Sequence, residues 1–165
     1  MTLSESIPSD LKRITYTIVE MPEVCVDGMN LHEGALIYTS DLPLATNFDL
    51  IHAASSFQYV ESWQDLVGKF ASLKPKYILL SDIFAGFIKP FVTLQNYYES
   101  RIPHWFLNLN DLLVAFEHYG YRLVMKSYAT SRRLDAEDTL PMTNFPENLR
   151  LTQTLHLLFQ EINDE

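Results

Sequence analysis

Short hydrophobic runs recur along the chain, and each ends at a polar or acidic residue. The runs lie at residues 14–19, 35–39, 48–54 and 76–82. They are rich in β-branched, aromatic and leucine side chains, which suit the half-buried surface of a sheet. The pattern predicts four β-strands, with Glu20, Asp41, Ser55 and Asp82 at or just beyond their ends.

Between the predicted strands, apolar residues recur at helical spacing. Pro22 suits the first turn of a helix over residues 22–31, because a first-turn residue makes no use of its amide hydrogen. Ser62 is placed to cap a second helix, and Asn110 a third that Gly120 ends. The apolar residues behind the last two helices are Leu66, Phe70, Leu73, Leu112, Leu113, Phe116 and Tyr119.

Two further strands are predicted near the end of the chain. Residues 121–128 follow Gly120 directly, and residues 154–162 alternate as a strand does, although their leucines also fit a helix. We favour the strand. Strands that alternate with helices indicate the α/β class, with a mostly parallel sheet covered on both faces. Ligands of such sheets bind beyond the carboxyl ends of the strands, so the polar residues there are candidate site residues.

Length and composition suit one domain over residues 1–165. The chain is 47% hydrophobic, but no apolar run approaches the roughly 20 residues of a membrane helix, and the N-terminus lacks a signal-peptide core. We therefore predict a cytoplasmic protein with no membrane partner. The formal charge of −9 argues against nucleic acid as a partner. A single cysteine, Cys25, excludes an internal disulfide and a cysteine-based zinc cluster within one chain.

The five histidines show no i, i+4 pair, so no metal site is predicted. His104 lies in a stretch, residues 84–109, that contains two prolines and several aromatic residues. We predict a long loop there, either a lid or binding loop or a packed cover for a sheet edge. Because an imidazole titrates near neutral pH, His104 is a weak candidate for a general base, and a packed loop histidine is the alternative.

Five segments resemble the later two-thirds of a class I S-adenosylmethionine-dependent methyltransferase. They are YTIVEMP, LIYTSDLP, FDLIHAASSFQYVESW, YILLSDI and GYRLVMKS. The segments FQYVESWQDL, FVTLQNYYESRIPHWFLN and MTNFPENL are similar, more narrowly, to an uncharacterised group of bacterial methyltransferase-like proteins. The resemblance spans about residues 14–159 and implies a three-layer α/β/α Rossmann-like fold.

The resemblance implies roles for the residues at the strand ends. The implied cofactor residues are Glu20 and Met21 at the ribose, Asp41 and Leu42 at the adenine, and Ala54 and Ser55 at the methionine end. A carboxylate suits two ribose hydroxyls because each oxygen accepts one hydrogen bond. Without the resemblance, the interpretation we would choose is a helix-start carboxylate for Glu20, a turn residue for Asp41 and a hydroxyl that bonds the local backbone for Ser55.

The first strand of the family and its glycine-rich turn have no counterpart before Glu20. Residues 1–13 contain no glycine and no strand-like run. The resemblance therefore implies a sheet that lacks its first, central strand and has unpaired edges. Three explanations stand: an N-terminally truncated reading of a longer enzyme, a degenerate relative that no longer binds cofactor, or a homodimer that pairs across the gap.

The resemblance implies methyl transfer from S-adenosylmethionine to a small-molecule or glycan-like acceptor. The acceptor pocket is assigned to Tyr59, Tyr97, Tyr98 and Trp105, with His104 nearby. Methyl transfer needs little beyond alignment of the nucleophile with the sulfonium, so no obvious catalytic residue is required. The rival interpretation is an inactive remnant that serves as an interaction module through its open sheet edges.

Overall fold

The computed structural model describes residues 15–32, 36–44, 47–129, 132–133, 136–137 and 140–162. Residue contacts divide the chain into two compact units, Met1–Leu44 and Ala45–Glu165. The single domain over residues 1–165 stays a prediction, and the missing first strand falls on residues 1–14, outside the described residues. No helix within the described residues is long and apolar enough to cross a membrane.

The first unit contains two short parallel strands and one helix. Strand β1 (Thr17–Val19) pairs with β2 (Ile37–Thr39), and α1 (Pro22–His32) connects them. Gly28 lies on the buried side of α1, where a Cβ would overlap the ring of Tyr38. Only glycine therefore lets the helix and β2 approach this closely.

The second unit is built on a four-stranded sheet. Its strands are β3 (Leu50–Ala54), β4 (Tyr77–Ile83), β8 (Tyr121–Tyr128) and β11 (Leu155–Glu161). They lie side by side in the order β3–β4–β11–β8. Strand β4 is parallel to β3, whereas β11 is antiparallel to both β4 and β8. Three strands thus run in one direction, and the sheet is mixed because β11 enters between β4 and β8 from the opposite end. The strand predicted over 154–162 is confirmed.

One face of this sheet forms the main core. Leu155, Leu157 and Phe159 alternate along β11 and are at most 3% exposed, and the ring of Phe159 stacks on Phe116 with 3.9 Å between centroids. The intervening Leu158 is only half-buried. Within the described residues the central strand is therefore less buried on its second face than its sequence predicts.

Two helices of the second unit, α2 (Trp63–Ser72) and α3 (Leu109–His118), match the predicted positions. The cap of α3 is not the predicted residue, because Asn108 Oδ1 accepts from the amides of Asn110 and Asp111 at 2.8 and 3.2 Å. The preceding strand runs directly into the helix, which moves the cap two residues upstream of the predicted Asn110. Ser62 occupies the N-cap position of α2 without a side-chain bond. Gly120 follows α3 at φ +80°, as expected of a helix C-cap.

Residues 84–109 form strands, so the predicted long loop is wrong. They contain β5 (Ala85–Gly86), β6 (Phe91–Tyr97) and β7 (Ser100–Asn108), and β6 and β7 make an antiparallel hairpin. Pro103 pairs with Leu94 at a point where β7 has no second neighbour among the described strands, since β5 reaches only Leu107 and Asn108. A proline fits there with its nitrogen towards the unpaired side.

The remaining elements are short. The helical turn η1 (Phe57–Tyr59) follows β3, and the helical turn η2 (Glu147–Leu149) precedes β11. Strand β9 (Arg132–Arg133) pairs with β10 (Ala136–Glu137). A second apolar cluster joins the hairpin to the segment before β11. Its buried members are Ile88, Phe106, Met142 and Leu151.

Candidate functional site

The two carboxylates predicted to bind a nucleoside lie at one edge of the first unit. Because β1 and β2 are parallel, Glu20 and Asp41 leave the same end of the pair. The amide of Glu20 donates to the carbonyl of Thr39 at 3.1 Å, which extends the pairing to that edge. An open depression of about 480 Å³ there is lined by Val19, Glu20, Met21, Pro22, Ser40 and Asp41.

The turn at Asp41 is held by two hydroxyls. Thr39 Oγ1 accepts from the Asp41 amide at 3.3 Å and donates to its carbonyl at 3.0 Å, and Ser40 Oγ donates to Asp41 Oδ2 at 3.3 Å. None of these bonds uses Oδ1, so the turn interpretation leaves that oxygen for a ligand. Leu42 follows in the chain and is half-buried.

Glu20 is exposed and lies two residues before the first residue of α1. The acidic residue in the first turn of that helix is Glu23. A carboxylate interacts with a helix dipole within the first turn, so the helix-start interpretation fits Glu23 better than Glu20. Met21, 65% exposed, lies between Glu20 and the helix and presents an apolar side chain to the depression.

In the second unit, the ends of β3 and β4 are joined by polar contacts. Ser55, just after Ala54, donates its amide to the carbonyl of Ser81 at 2.9 Å and its hydroxyl to Asp82 Oδ2 at 2.7 Å. Thr154 Oγ1 donates to the other oxygen of Asp82 at 2.5 Å, and the Asp82 amide donates to His156 Nδ1 at 3.2 Å. We call Ser55, Asp82, Thr154 and His156 the strand-end cluster.

Two members of the strand-end cluster have a left-handed backbone. Asp82 has φ +56° and Ser55 has φ +48°. For a residue with a Cβ this conformation costs about 1–2 kcal/mol. Such cost persists where the surroundings fix the backbone, and it concentrates at functional sites. Here the two residues are joined by the bond from the Ser55 hydroxyl to the Asp82 carboxylate.

His104 lies in β7, not in the loop that the sequence predicts. It is 5% exposed, and its ring meets Phe84, Phe106 and Tyr59 at centroid distances of 4.4, 5.0 and 5.3 Å. Its Nδ1 is buried and has no hydrogen-bond partner among the described residues. His104 is therefore a polar group inside an aromatic cage, and its role as a general base stays a prediction.

Burial lowers the pKa of His104 below 6.5, and the negative charge of Asp82 partly opposes that shift. Below about pH 6.5 the unfolded chain therefore binds the proton more readily than the folded chain. The contribution of His104 to stability is complete above that pH and is lost as the pH falls. We expect the melting temperature to fall between neutral pH and pH values near 5, and to fall less in His104→Gln. His118→Gln, at an exposed position, is the control and should follow the wild type.

The residues assigned to the acceptor pocket lie at different places along the hairpin. Tyr59 contacts His104, and its hydroxyl donates to Gln95 Oε1 at 2.9 Å. Tyr97 and Tyr98 stand at the hairpin tip, 53% and 92% exposed. Tyr97 pairs with Ser100, four residues and about 13 Å along the strand from His104.

Trp105 is half-buried next to His104 in β7, and successive strand residues point to opposite faces. Its indole Nε1 is buried without a partner among the described residues. The structure thus brings Tyr59 and His104 together and does not bring the tip tyrosines to them. The common acceptor pocket of Tyr59, Tyr97, Tyr98 and Trp105 stays a prediction.

Sequence reasoning missed Thr154 and His156. They lie 72 and 74 residues beyond Asp82 and meet it only because β11 pairs with β4. No local spacing signals such a contact. Among the described residues, no three histidine, cysteine or acidic side chains are grouped as ligands for one metal ion.

No family model and no curated protein matches the sequence. Solved structures do match. A candidate S-adenosylmethionine-dependent methyltransferase from Listeria monocytogenes is 7% identical, with a TM-score of 0.62 over 90% of this chain and 81% of that one. An S-adenosylmethionine-dependent methyltransferase from Mesorhizobium loti is 12% identical, with a TM-score of 0.57 over 89% and 81%.

A third match has ligands bound. It is the 1,6-didemethyltoxoflavin-N1-methyltransferase of Burkholderia thailandensis, solved with 1,6-didemethyltoxoflavin and S-adenosylhomocysteine. It is 12% identical, with a TM-score of 0.52 over 92% of this chain and 62% of that one. At these identities the similarity shows the fold, and it confirms the predicted Rossmann-like α/β class.

Proposed function

We propose that the chain is a methyltransferase that takes its methyl group from S-adenosylmethionine. The fold shared with methyltransferases of known structure supports this proposal. The observation that supports it most directly is the pair of carboxylates, Glu20 and Asp41, at one open depression beyond two parallel strands.

Glu20 is proposed to bind the ribose and Asp41 the adenine of the cofactor. The two oxygens of Glu20 can each accept from one ribose hydroxyl, and Asp41 Oδ1 can accept from the exocyclic amine. Met21 and Leu42 supply apolar contact on either side. The cofactor contributes a methyl group on a positively charged sulfur, which suits a protein of formal charge −9.

Ala54 and Ser55 are proposed to lie at the methionine end, an assignment that rests on their position in the sequence. The acceptor is proposed to be a small molecule, as 1,6-didemethyltoxoflavin is for the Burkholderia enzyme. The contribution of the protein is then to orient the acceptor atom towards the methyl group, which is the larger part of such catalysis. Tyr59, Trp105 and the hairpin tyrosines are the proposed acceptor contacts.

Isothermal titration of the chain with S-adenosylhomocysteine tests the proposal. We expect saturable binding, and we expect Glu20→Ala to weaken it by about 100-fold or more, because two charge-assisted hydrogen bonds of about 1.5–3 kcal/mol each are lost. Glu23→Ala is the matched control, since Glu23 is an acidic residue beside the same strand end that does not line the depression. It should bind within twofold of the wild type.

Absence of binding heat in the wild type would reject the cofactor assignment. The rival proposal, an interaction module, would then gain support. Among the described residues β3 pairs only with β4, so its other edge is open to a partner strand. Size-exclusion chromatography that shows a self-associating chain without cofactor affinity would favour this rival.

A further inference from the structure

The carboxylate of Asp82 has spare hydrogen-bonding capacity. A carboxylate accepts about four hydrogen bonds, and Ser55 and Thr154 supply one to each oxygen. The bond from Ser55 lies on the exposed side, whereas Thr154 is 4% exposed. Oδ2 is therefore the oxygen that a ligand can reach, and the two hydroxyls fix its direction before any ligand arrives.

A second polar group lies in the same part of the fold, because the ring of His104 packs against Phe84, two residues after Asp82, and against Tyr59, four residues after Ser55. Buried polar atoms nearly always have a hydrogen-bond partner, so Nδ1 of His104 is an exception that requires an explanation. The electrostatic influence of Asp82 reaches this imidazole. Tyr59 packs edge-on against the imidazole and is 37% exposed, so a change of its rotamer that breaks its hydroxyl bond to Gln95 would uncover the ring.

The charge of the strand-end cluster restricts what it can bind. The carboxylate of Asp82 and the formal charge of −9 disfavour an anionic group such as a phosphate. A carboxylate also favours the protonated form of an amine, which has no lone pair to receive a methyl group. A hydroxyl has neither difficulty, because it is neutral and donates one hydrogen bond while its oxygen keeps free lone pairs.

We propose that Asp82 and His104 bind the methyl acceptor through two neighbouring hydroxyl groups on a neutral ring. One hydroxyl donates to Asp82 Oδ2, and the other bonds with the imidazole of His104. The ring of the acceptor lies against Tyr59, as sugar and phenol rings do on aromatic side chains. This inference rests on the proposed function, since it names the acceptor of the same enzyme. Sugars and catechols share this chemistry.

The test follows the imidazole resonances of His104 by NMR near neutral pH while a probe is added at millimolar concentrations. The probes are methyl α-D-mannopyranoside and catechol, and tetrahydropyran is a ring of the same size without hydroxyls. We expect saturable shifts with at least one of the first two and none with tetrahydropyran. A response to the mannoside alone identifies a sugar acceptor, and a response to catechol alone identifies a phenol. Equal shifts with tetrahydropyran, or no shift with either hydroxylated probe, would overturn the inference.

Asp82→Asn is the decisive variant. Its amide can still bond with both hydroxyls, because Thr154 donates to the remaining oxygen and Ser55 accepts from the new amino group. We expect probe affinity to fall at least tenfold while the melting temperature stays close to that of the wild type. Asp65→Asn, an exposed acid in α2, is the control and should bind normally. Unchanged probe binding in Asp82→Asn would contradict the proposal.

Titration of the same variant with S-adenosylhomocysteine separates this inference from the proposed function. If Asp82 binds the acceptor, its affinity for S-adenosylhomocysteine should stay within twofold of the wild type. A tenfold loss would show that Asp82 binds the cofactor instead and would overturn the inference alone. Probe binding without any binding of S-adenosylhomocysteine would support a diol site and reject the methyltransferase function.

Discussion

Replacement of Phe116 by alanine is expected to lower the free energy of unfolding by about 3–5 kcal/mol, the range found for buried phenylalanines. Phe116 is fully buried on α3, and its ring stacks on Phe159 at 3.9 Å with planes 17° apart. The substitution removes the aromatic contact and leaves a cavity between the helix and the central strand β11. Since folded domains are stable by only about 5–15 kcal/mol, a large part of the total is lost. Urea denaturation measures the difference.

Val114→Ala provides the control for Phe116. Val114 lies on the same helix and is 63% exposed, so its replacement should change stability by less than about 0.5 kcal/mol. A loss below about 1 kcal/mol in Phe116→Ala would contradict the packing of α3 on the sheet. It would mean that the core relaxes to fill the space or that the two rings are not stacked in solution.

Replacement of Gly28 by valine is expected to disrupt the first unit and to abolish binding of S-adenosylhomocysteine. A side chain at this position overlaps the ring of Tyr38, so α1 and β2 must separate. Overpacking of this kind typically costs about 1–3 kcal/mol. Cys25 is the only hydrophobic residue of the described part of this unit that is fully buried, so little other packing resists the change. Amide hydrogen exchange in α1 should accelerate while β4 stays protected.

Met29→Val is the matched control for Gly28→Val. It introduces the same β-branched side chain at the next position of α1, where Met29 is 52% exposed. Valine is a better helix former than glycine and a poorer one than methionine, so helix propensity alone would harm Met29→Val more than Gly28→Val, and no clash follows at position 29. If both variants lose S-adenosylhomocysteine binding equally, the close approach of α1 to Tyr38 is not the cause.

The strands and helices of the second unit were largely predictable because their local signals agree. Residues 121–128 are strand as predicted, since a glycine that ends α3 stands directly before a run that contains several apolar and aromatic residues. The ambiguous segment at 154–162 is a strand because it fills the position between β4 and β8. Its leucines also have helical spacing, but pairing with two neighbouring strands decides its secondary structure.

The hairpin of β6 and β7, within residues 84–109, was not predictable from local signals. Prolines usually indicate loops, but Pro103 is tolerated because no other strand in the described part of the chain pairs with that side of β7. That condition depends on which strands are neighbours, and the sequence does not display it. The cap of α3 was misplaced for a related reason, because Asn108 serves both as the last residue of β7 and as the helix cap.

The residues of the candidate site that lie close together in the sequence were predictable, and those that lie far apart were not. Glu20 and Asp41 follow two strands that are adjacent in the chain, and they line one depression. Asp82 could be placed at a strand end, but its partner Thr154 depends on the pairing of β4 with β11. The aromatic residues around His104 likewise come together because of the hairpin, which the sequence did not predict.

The position of β11 has a consequence for synthesis on the ribosome. This strand is the last of the described strands in the chain, yet it lies between β4 and β8. Until residue 161 has left the exit tunnel, both of its neighbours present unpaired edges, and contacts so distant in sequence form slowly. The nascent polypeptide therefore exposes aggregation-prone strand edges, which a chaperone would have to cover until β11 has been translated.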